Sequence, residues 1–322
     1  MPRPLAVLLW LAQLVGPHPA ALTAQPSLFD LLHARGDTVD LHLETDWPAL
    51  LNAKLDKVYQ PATLRTAGYP PFRARLRTRG NVRLRQCANP SLKIKLAKEA
   101  LRRAGLAELN DLKLVVQCTD GASGPRYLAR ERLAYRLHAA VSPYHHRTVP
   151  VRLHLPDGRT PAAFLVESEE QLAARYNAIV IEPDKLSSRG LDRTSYLNAC
   201  LFNYLLLNSD WFVYNRHNLE CLHVRGTPRT IVIPYDFDYS GFVGTDYAVP
   251  HSSLGLRDIY EPHFAGRHIR ARELAAAQSH FREREAALRA VITDSGLGRR
   301  EIRRAERLLD DFYRRLGRLR PN

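Results

Sequence analysis

The sequence is marked first by what it lacks. After residue 24 no apolar run is long enough to cross a bilayer as a helix. None of the 4 cysteines forms a Cys-x-x-Cys pair, so a zinc framework is not expected. No His-x-His ligand pair occurs, although a metal-dependent hydrolase or phosphoesterase would call for such spacing. There is no Gly-x-Gly-x-x-Gly loop to cradle phosphates, no internal repeat and no low-complexity tract. Lysine is scarce, with 7 against 40 arginines. The plainest source of that bias is an arginine-rich genome. Its functional consequence is attraction to anions such as phosphate, nucleic acid or acidic polymers. No RNA- or DNA-binding motif accompanies the net charge of +14, so a specific nucleic acid is not the expected partner.

What is present fits a folded protein. The 322 residues are 45% apolar and 8% aromatic, enough for two compact units or one large bilobal one. Residues 1–24 read as a secretory signal: Arg3 gives a positive start, residues 5–15 are apolar, and cleavage is expected after Ala24. An uncleaved anchor is the alternative. A secreted or periplasmic chain with an even number of cysteines suggests disulfides. Cys87–Cys118 and Cys200–Cys221 are favoured, because each pair flanks one expected lobe; buried free thiols are the alternative.

Patterning divides the mature chain. Residues 25–166 form an expected strand-rich lobe, with alternating segments at 72–79, 92–96 and 149–155 and one prominent helix over 125–141. Residues 167–322 form an expected helix-rich lobe, with helices over 193–207, 271–293 and 299–316. Strands first and helices later predict an α+β protein of two lobes with a cleft between them.

The richest stretch runs over 208–241. An apolar helix delivers Asp210, a loop ends at His217-Asn218, and two strands joined near Gly226 and Pro228 end at Pro234-Tyr235-Asp236-Phe237-Asp238. An acid after a helix, an amide before a strand and an acid after the next strand make the skeleton of a kinase site. One carboxylate there serves the attacking hydroxyl, while the amide and the second acid hold Mg²⁺. Asp236 and Asp238 alternate at a strand end and share a face. Such neighbouring carboxylates repel unless a cation lies between them. The alternative for each acid is an ordinary polar turn or helix-end residue.

In order along the chain stand Arg79-Gly80-Asn81, Lys93-Ile94-Lys95-Leu96, Phe164-Leu165-Val166-Glu167, Asn208-Ser209-Asp210, His217-Asn218 and Tyr235-Asp236-Phe237-Asp238. This series, spanning about half the chain, resembles the CotH-type kinases of bacterial spore coats and, more distantly, the HipA-type kinases. The resemblance implies a protein-kinase-like fold and phosphoryl transfer from ATP with Mg²⁺ or Mn²⁺. It implies Asp210 as catalytic base and Asn218, Asp236 and Asp238 as metal ligands. Lys95, or else Lys93, would meet the phosphates, with Glu131 as its ion-pair partner. Glu167 would sit at a hinge near the adenine, and the Gly80-Asn81 turn would help to cradle phosphate. Asn215, five positions after Asp210, competes with Asn218 for the metal. His217 is expected to orient its neighbours. The chain departs from the family in the longer loop after Asp210 and in Trp211, which stands where a histidine is usual.

The acceptor would be a hydroxyl on a protein, a glycan or a small molecule. Two competing functions follow from the same residues: an inactive pseudokinase serving as a cell-envelope scaffold, and a metal-dependent phosphoesterase or other hydrolase.

Overall fold

Alternation of buried and exposed residues builds β-strands such as residues 39–44 and 72–79, while residues 111–116 are buried at every position. The computed structural model describes residues 25–321, so the expected signal over 1–24 lies outside the described residues. α1 (Leu28–Ala34) opens on a capping box in which Ser27 and Asp30 each satisfy the other's backbone N–H. β1 (Val39–Glu44), α2 (Trp47–Asn52), β2 (Gln60–Arg65) and β3 (Phe72–Arg79) follow. Next come α3 (Val82–Gln86), β4 (Ser91–Leu96), α4 (Lys98–Arg103) and β5 (Asp111–Val116). The half ends with the long α5 (Ser123–Val141), β6 (Thr148–His154) and β7 (Ala162–Val166).

These strands close into a barrel in the order β1-β2-β3-β4-β5-β7-β6. β6 returns parallel to β1, pairing Val151 with Val39, and this contact closes the ring. Along β3, Phe72, Ala74, Leu76 and Thr78 point inward while Arg73 and Arg75 face solvent. The interior is filled by aliphatic residues such as Leu41, Leu76, Ile94, Leu114 and Leu165, all fully buried. The expected strand-rich lobe is therefore a closed barrel. Local alternation specifies a strand and its inward face, but the β1–β6 pairing joins distant segments and leaves no local trace.

The second half contributes α6 (Glu169–Arg175), β8 (Ala178–Val180), α7 (Arg193–Leu205), β9 (Leu219–Val224) and β10 (Ile231–Pro234). It ends with α8 (Ala271–Glu283), α9 (Glu285–Thr293) and α10 (Arg299–Leu316). β10, β9 and β8 form a small antiparallel sheet. The single helix expected over 271–293 is two, broken at Arg284 with φ −90° and ψ 0°. The charged run around the break holds no Gly or Pro to announce it. α7 is buried on nearly every face, within a core that includes Phe202, Phe237, Phe281 and Phe312. Val115, Phe164 and Val166, from the outer face of the barrel, join the same core. The molecule is thus α+β, with the barrel packed against helices through β5 and β7.

Cys87 and Cys118 are bonded, with Cα atoms 4.6 Å apart. The expected Cys200–Cys221 bridge does not exist; both are buried free thiols. Cys200 lies on α7 and Cys221 on β9, and each packs as a small apolar side chain. Burial pushes their thiols up to about 12 and about 11. Among the described residues no helix is long and apolar enough to cross a membrane.

Candidate functional site

The β9–β10 pairing sets the geometry. Leu219 lies opposite Pro234, so Asn218, just before β9, falls beside Tyr235, just after β10. The Tyr235 N–H donates to the Asn218 carbonyl at 3.1 Å. Asn218 and Asp236 both adopt left-handed backbone, with φ of 55° and 60°. Non-glycine residues hold that conformation where their surroundings enforce it, often at functional sites. At Asp236 the enforcing contact comes from α5: its N–H donates to Tyr135 Oη at 2.9 Å.

The segment after Asp238 folds back onto the end of α7, where Gly241 and Phe242 N–H groups donate to the carbonyls of Leu207 and Leu206. A Cβ on Gly241 would lie 2.4 Å from the Ile259 carbonyl oxygen, so only glycine fits there. This fold-back brings the Asp210 loop to the end of β10. His217 Nε2 lies 2.9 Å from one Asp210 oxygen. Asn218 Nδ2 donates to the other at 3.0 Å and to the Asp210 carbonyl at 2.7 Å. The hydrogen bond to Asp210 raises the His217 pKa.

Asp210, Asn218, Asp236 and Asp238 all line one open cleft of about 680 Å³. It is rich in acid. Arg83, on α3, reaches Glu131 Oε2 at 3.0 Å and Asp238 Oδ2 at 3.8 Å, and donates to the Val116 carbonyl at 2.8 Å. Tyr247 Oη donates to Asp238 Oδ2 at 2.8 Å. Glu131 and Asp238 thus share the Arg83 guanidinium. Burial, reinforced by Asp236, pushes Asp238 well above the usual carboxylate range. Burial also pushes Glu131 to about 7 against the pull of Arg83. Glu131 Oε1 is buried without a hydrogen-bond partner. The oxygen donors gathered here suit a hard divalent cation. Among the described residues no three acid, His or Cys side chains converge closely enough to hold an ion unaided. Asn218, whose amide nitrogen serves Asp210, has its amide oxygen left for such an ion.

A row of cations lines the same cleft. Arg77 on β3 is opposite Lys93 on β4, which is opposite Lys113 on β5, and all three line the cleft. Like charges directly opposite on a sheet repel. Acids balance them: Lys93 meets Asp111 at 2.7 Å, and Lys113 meets Glu169 at 2.6 Å and Glu220 at 3.1 Å. The Gly80-Asn81 turn flanks this row, with Gly80 at φ 96° and Asn81 Oδ1 accepting from Lys57 Nζ at 2.8 Å.

Three expected placements are corrected. Lys95 does not line the cleft; it lies beside Asp111 at 3.6 Å, opposite Arg75, while Lys93 occupies the cationic row. Both lysines share a strand face, and periodicity alone cannot say which lies nearer the cleft. Glu131 pairs with Arg83 and with no lysine. Glu167 is fully buried and lies outside the cleft, clamped by Arg147 at 2.7 Å and Arg175 at 2.6 Å. Burial alone would raise its pKa, but the two guanidiniums hold it lowered. Asn215 lines the cleft, and its Oδ1 accepts from the His217 N–H at 3.3 Å.

Sequence reasoning missed Lys113, Arg83 and Tyr135. Lys113 had a signal, as one of few lysines in the otherwise apolar run Leu112-Lys-Leu-Val-Val116. Arg83 had none among 40 arginines.

No family model and no curated protein matches the chain. Among solved structures, the proinflammatory kinase CtkA of Helicobacter pylori is similar at 9% identity, covering 70% of this chain and 94% of that chain with a TM-score of 0.43. A likeness of that degree carries neither fold family nor activity across, and the cleft's own chemistry has to support any function.

Proposed function

We propose that this protein is an exported, CotH-like kinase with a protein-kinase-like fold, which transfers phosphate from ATP to a hydroxyl on a protein, a glycan or a small molecule. The observation that carries the reading is that one cleft gathers Asp210, Asn218, Asp236 and Asp238 together with Arg77, Lys93 and Lys113.

Phosphoryl transfer asks a protein mainly for positioning and charge. The cationic row would seat the phosphates, with Lys93 replacing the expected Lys95. Asp236 and Asp238, with the Asn218 amide oxygen, would hold Mg²⁺ or Mn²⁺. When bound, that ion neutralises phosphate charge and aligns the phosphoryl group. Asp210 would orient the acceptor hydroxyl and take its proton. His217 and Asn218 fix that carboxylate, so it need not reorganise when the acceptor arrives. The Cys87–Cys118 bond is consistent with an oxidising compartment and so with export.

The test is incubation of the mature chain with ATP labelled at the γ-phosphate and either Mg²⁺ or Mn²⁺. Label incorporated into the chain or an added hydroxyl acceptor, and abolished by chelation, is the expected result. Absence of both transfer and nucleotide binding refutes the reading.

A further inference from the structure

A second cavity, of about 540 Å³, shares no lining residue with the cleft. It is bounded by α5, the turn after α1, the start of β6 and the turn after α9. Its size suits a small ligand.

Arg132 and Arg136 line this cavity, one helical turn apart on α5. Like charges at that spacing repel along a helix. Neither arginine has a carboxylate within ion-pair distance among the described residues. Arg136 Nη2 donates to the Asp294 carbonyl at 3.2 Å. Arg132, half-buried, makes no hydrogen bond or ion pair there. Arg147, on the same cavity, differs: it meets Asp30 at 2.6 Å and Glu167 at 2.7 Å. The rim acids Asp37 and Asp294 are exposed and reach neither arginine. Burial, and then Arg136, lower the pKa of Arg132, as expected for a cation lacking compensation.

His146 borders the same cavity and is 2% exposed. Its Nδ1 donates to the Glu167 carbonyl at 3.1 Å, which leaves Nε2 as a buried acceptor without a partner. Two guanidiniums without an ion-pair partner match a group with several anionic oxygens.

We propose that this cavity is a second binding site, for a small phosphate-bearing ligand held between Arg132 and Arg136. Guanidinium groups bind phosphate through charge-assisted, often paired hydrogen bonds, and a dianion neutralises both at once. The assignment does not depend on the function proposed for the cleft.

The experiment titrates the full chain calorimetrically at low salt with inorganic phosphate and, separately, with glycerol 3-phosphate. Saturable binding with a Kd below about 1 mM is expected for at least one. Binding of phosphate alone assigns the site to the free ion, and binding of both assigns it to phosphate monoesters as well. Arg132→Gln and Arg136→Gln should each weaken binding about ten- to a hundredfold. Lys93→Gln, which alters the cleft's cationic row, should leave it intact. Without ligand, Arg132→Gln should keep or raise Tm by relieving like-charge repulsion, which separates a lost ligand from a lost fold; Arg132→Lys, which keeps the charge, should retain binding. The proposal is overturned if neither ligand binds saturably. It is equally overturned if binding survives both arginine-to-glutamine variants, or disappears only in Lys93→Gln.

Discussion

Asn218 gives a single side-chain amide to both the main-chain carbonyl and the carboxylate of Asp210, at 2.7 and 3.0 Å. With His217 on the other carboxylate oxygen at 2.9 Å, Asp210 is held from two sides. Truncating Asn218 removes one of those holds and one oxygen donor from the cleft. Asn218→Ala should therefore lower phosphate transfer about 10²-fold, the usual cost of a reacting group displaced by about 1 Å. Steady-state transfer rates check this, and an unchanged rate would shift the metal-ligand role to Asn215.

Nucleotide binding should separate the charged residues by place. Asp236→Ala should abolish the Mg-ATP-induced rise in Tm, because the ion carries more charge to the phosphates than any one side chain. Lys93→Ala should weaken nucleotide binding by roughly tenfold or more, the value of one charge-assisted hydrogen bond. Lys95→Ala, outside the cleft, should leave it near wild type. Thermal-shift titrations of the three variants decide; a larger effect at Lys95 than at Lys93 would reverse the lysine assignment.

Peptide mass mapping without reduction should find one bridge, Cys87–Cys118, and free thiols at Cys200 and Cys221. Those thiols should resist alkylation until the chain is unfolded, since both are buried. The bridge closes a loop of 31 residues, so its loss should cost about 3–4 kcal/mol by the chain-entropy argument. Denaturation of Cys87→Ala/Cys118→Ala against wild type measures that cost.

Acid should act partly through one buried histidine. Burial pushes His146 from 6.5 down to about 3. Between those values the unfolded chain holds a proton at this site that the folded chain lacks. Stability from His146 is therefore complete above pH 6.5 and is lost as pH falls toward 3, with a slope of about 1.4 kcal/mol per pH unit. His146→Gln should remove that much slope from the unfolding free energy across the window. Urea denaturation of both proteins at several pH values reads the difference, and parallel curves would contradict it.

Much of this was legible in the sequence, and the particular residues show why. Alternation in Phe72-Arg-Ala-Arg-Leu marked β3 and its inward face. The hairpin ending at Asp236 was readable because its turn and both strands are local. Barrel closure was not, because Val39 and Val151 are far apart in the chain. The facing of Lys113 was not readable from alternation, because β5 is buried at every position; its rarity was the only signal. Glu167 misled because a buried acid at a strand end looks alike whether it faces a ligand or, as here, two arginines. Cys200 and Cys221 misled because flanking one lobe says nothing about which way each thiol points.

The most direct test of the central claim compares wild type with Asp210→Ala in parallel assays of Mg-ATP binding and of transfer from ATP labelled at the γ-phosphate. Asp210 touches the acceptor in this account and not the nucleotide. The variant should bind Mg-ATP nearly as wild type does and transfer phosphate about 10²–10⁴-fold more slowly, the usual contribution of a positioned base. Transfer by Asp210→Ala at the wild-type rate, or a wild-type protein that neither binds Mg-ATP nor transfers phosphate, would contradict it.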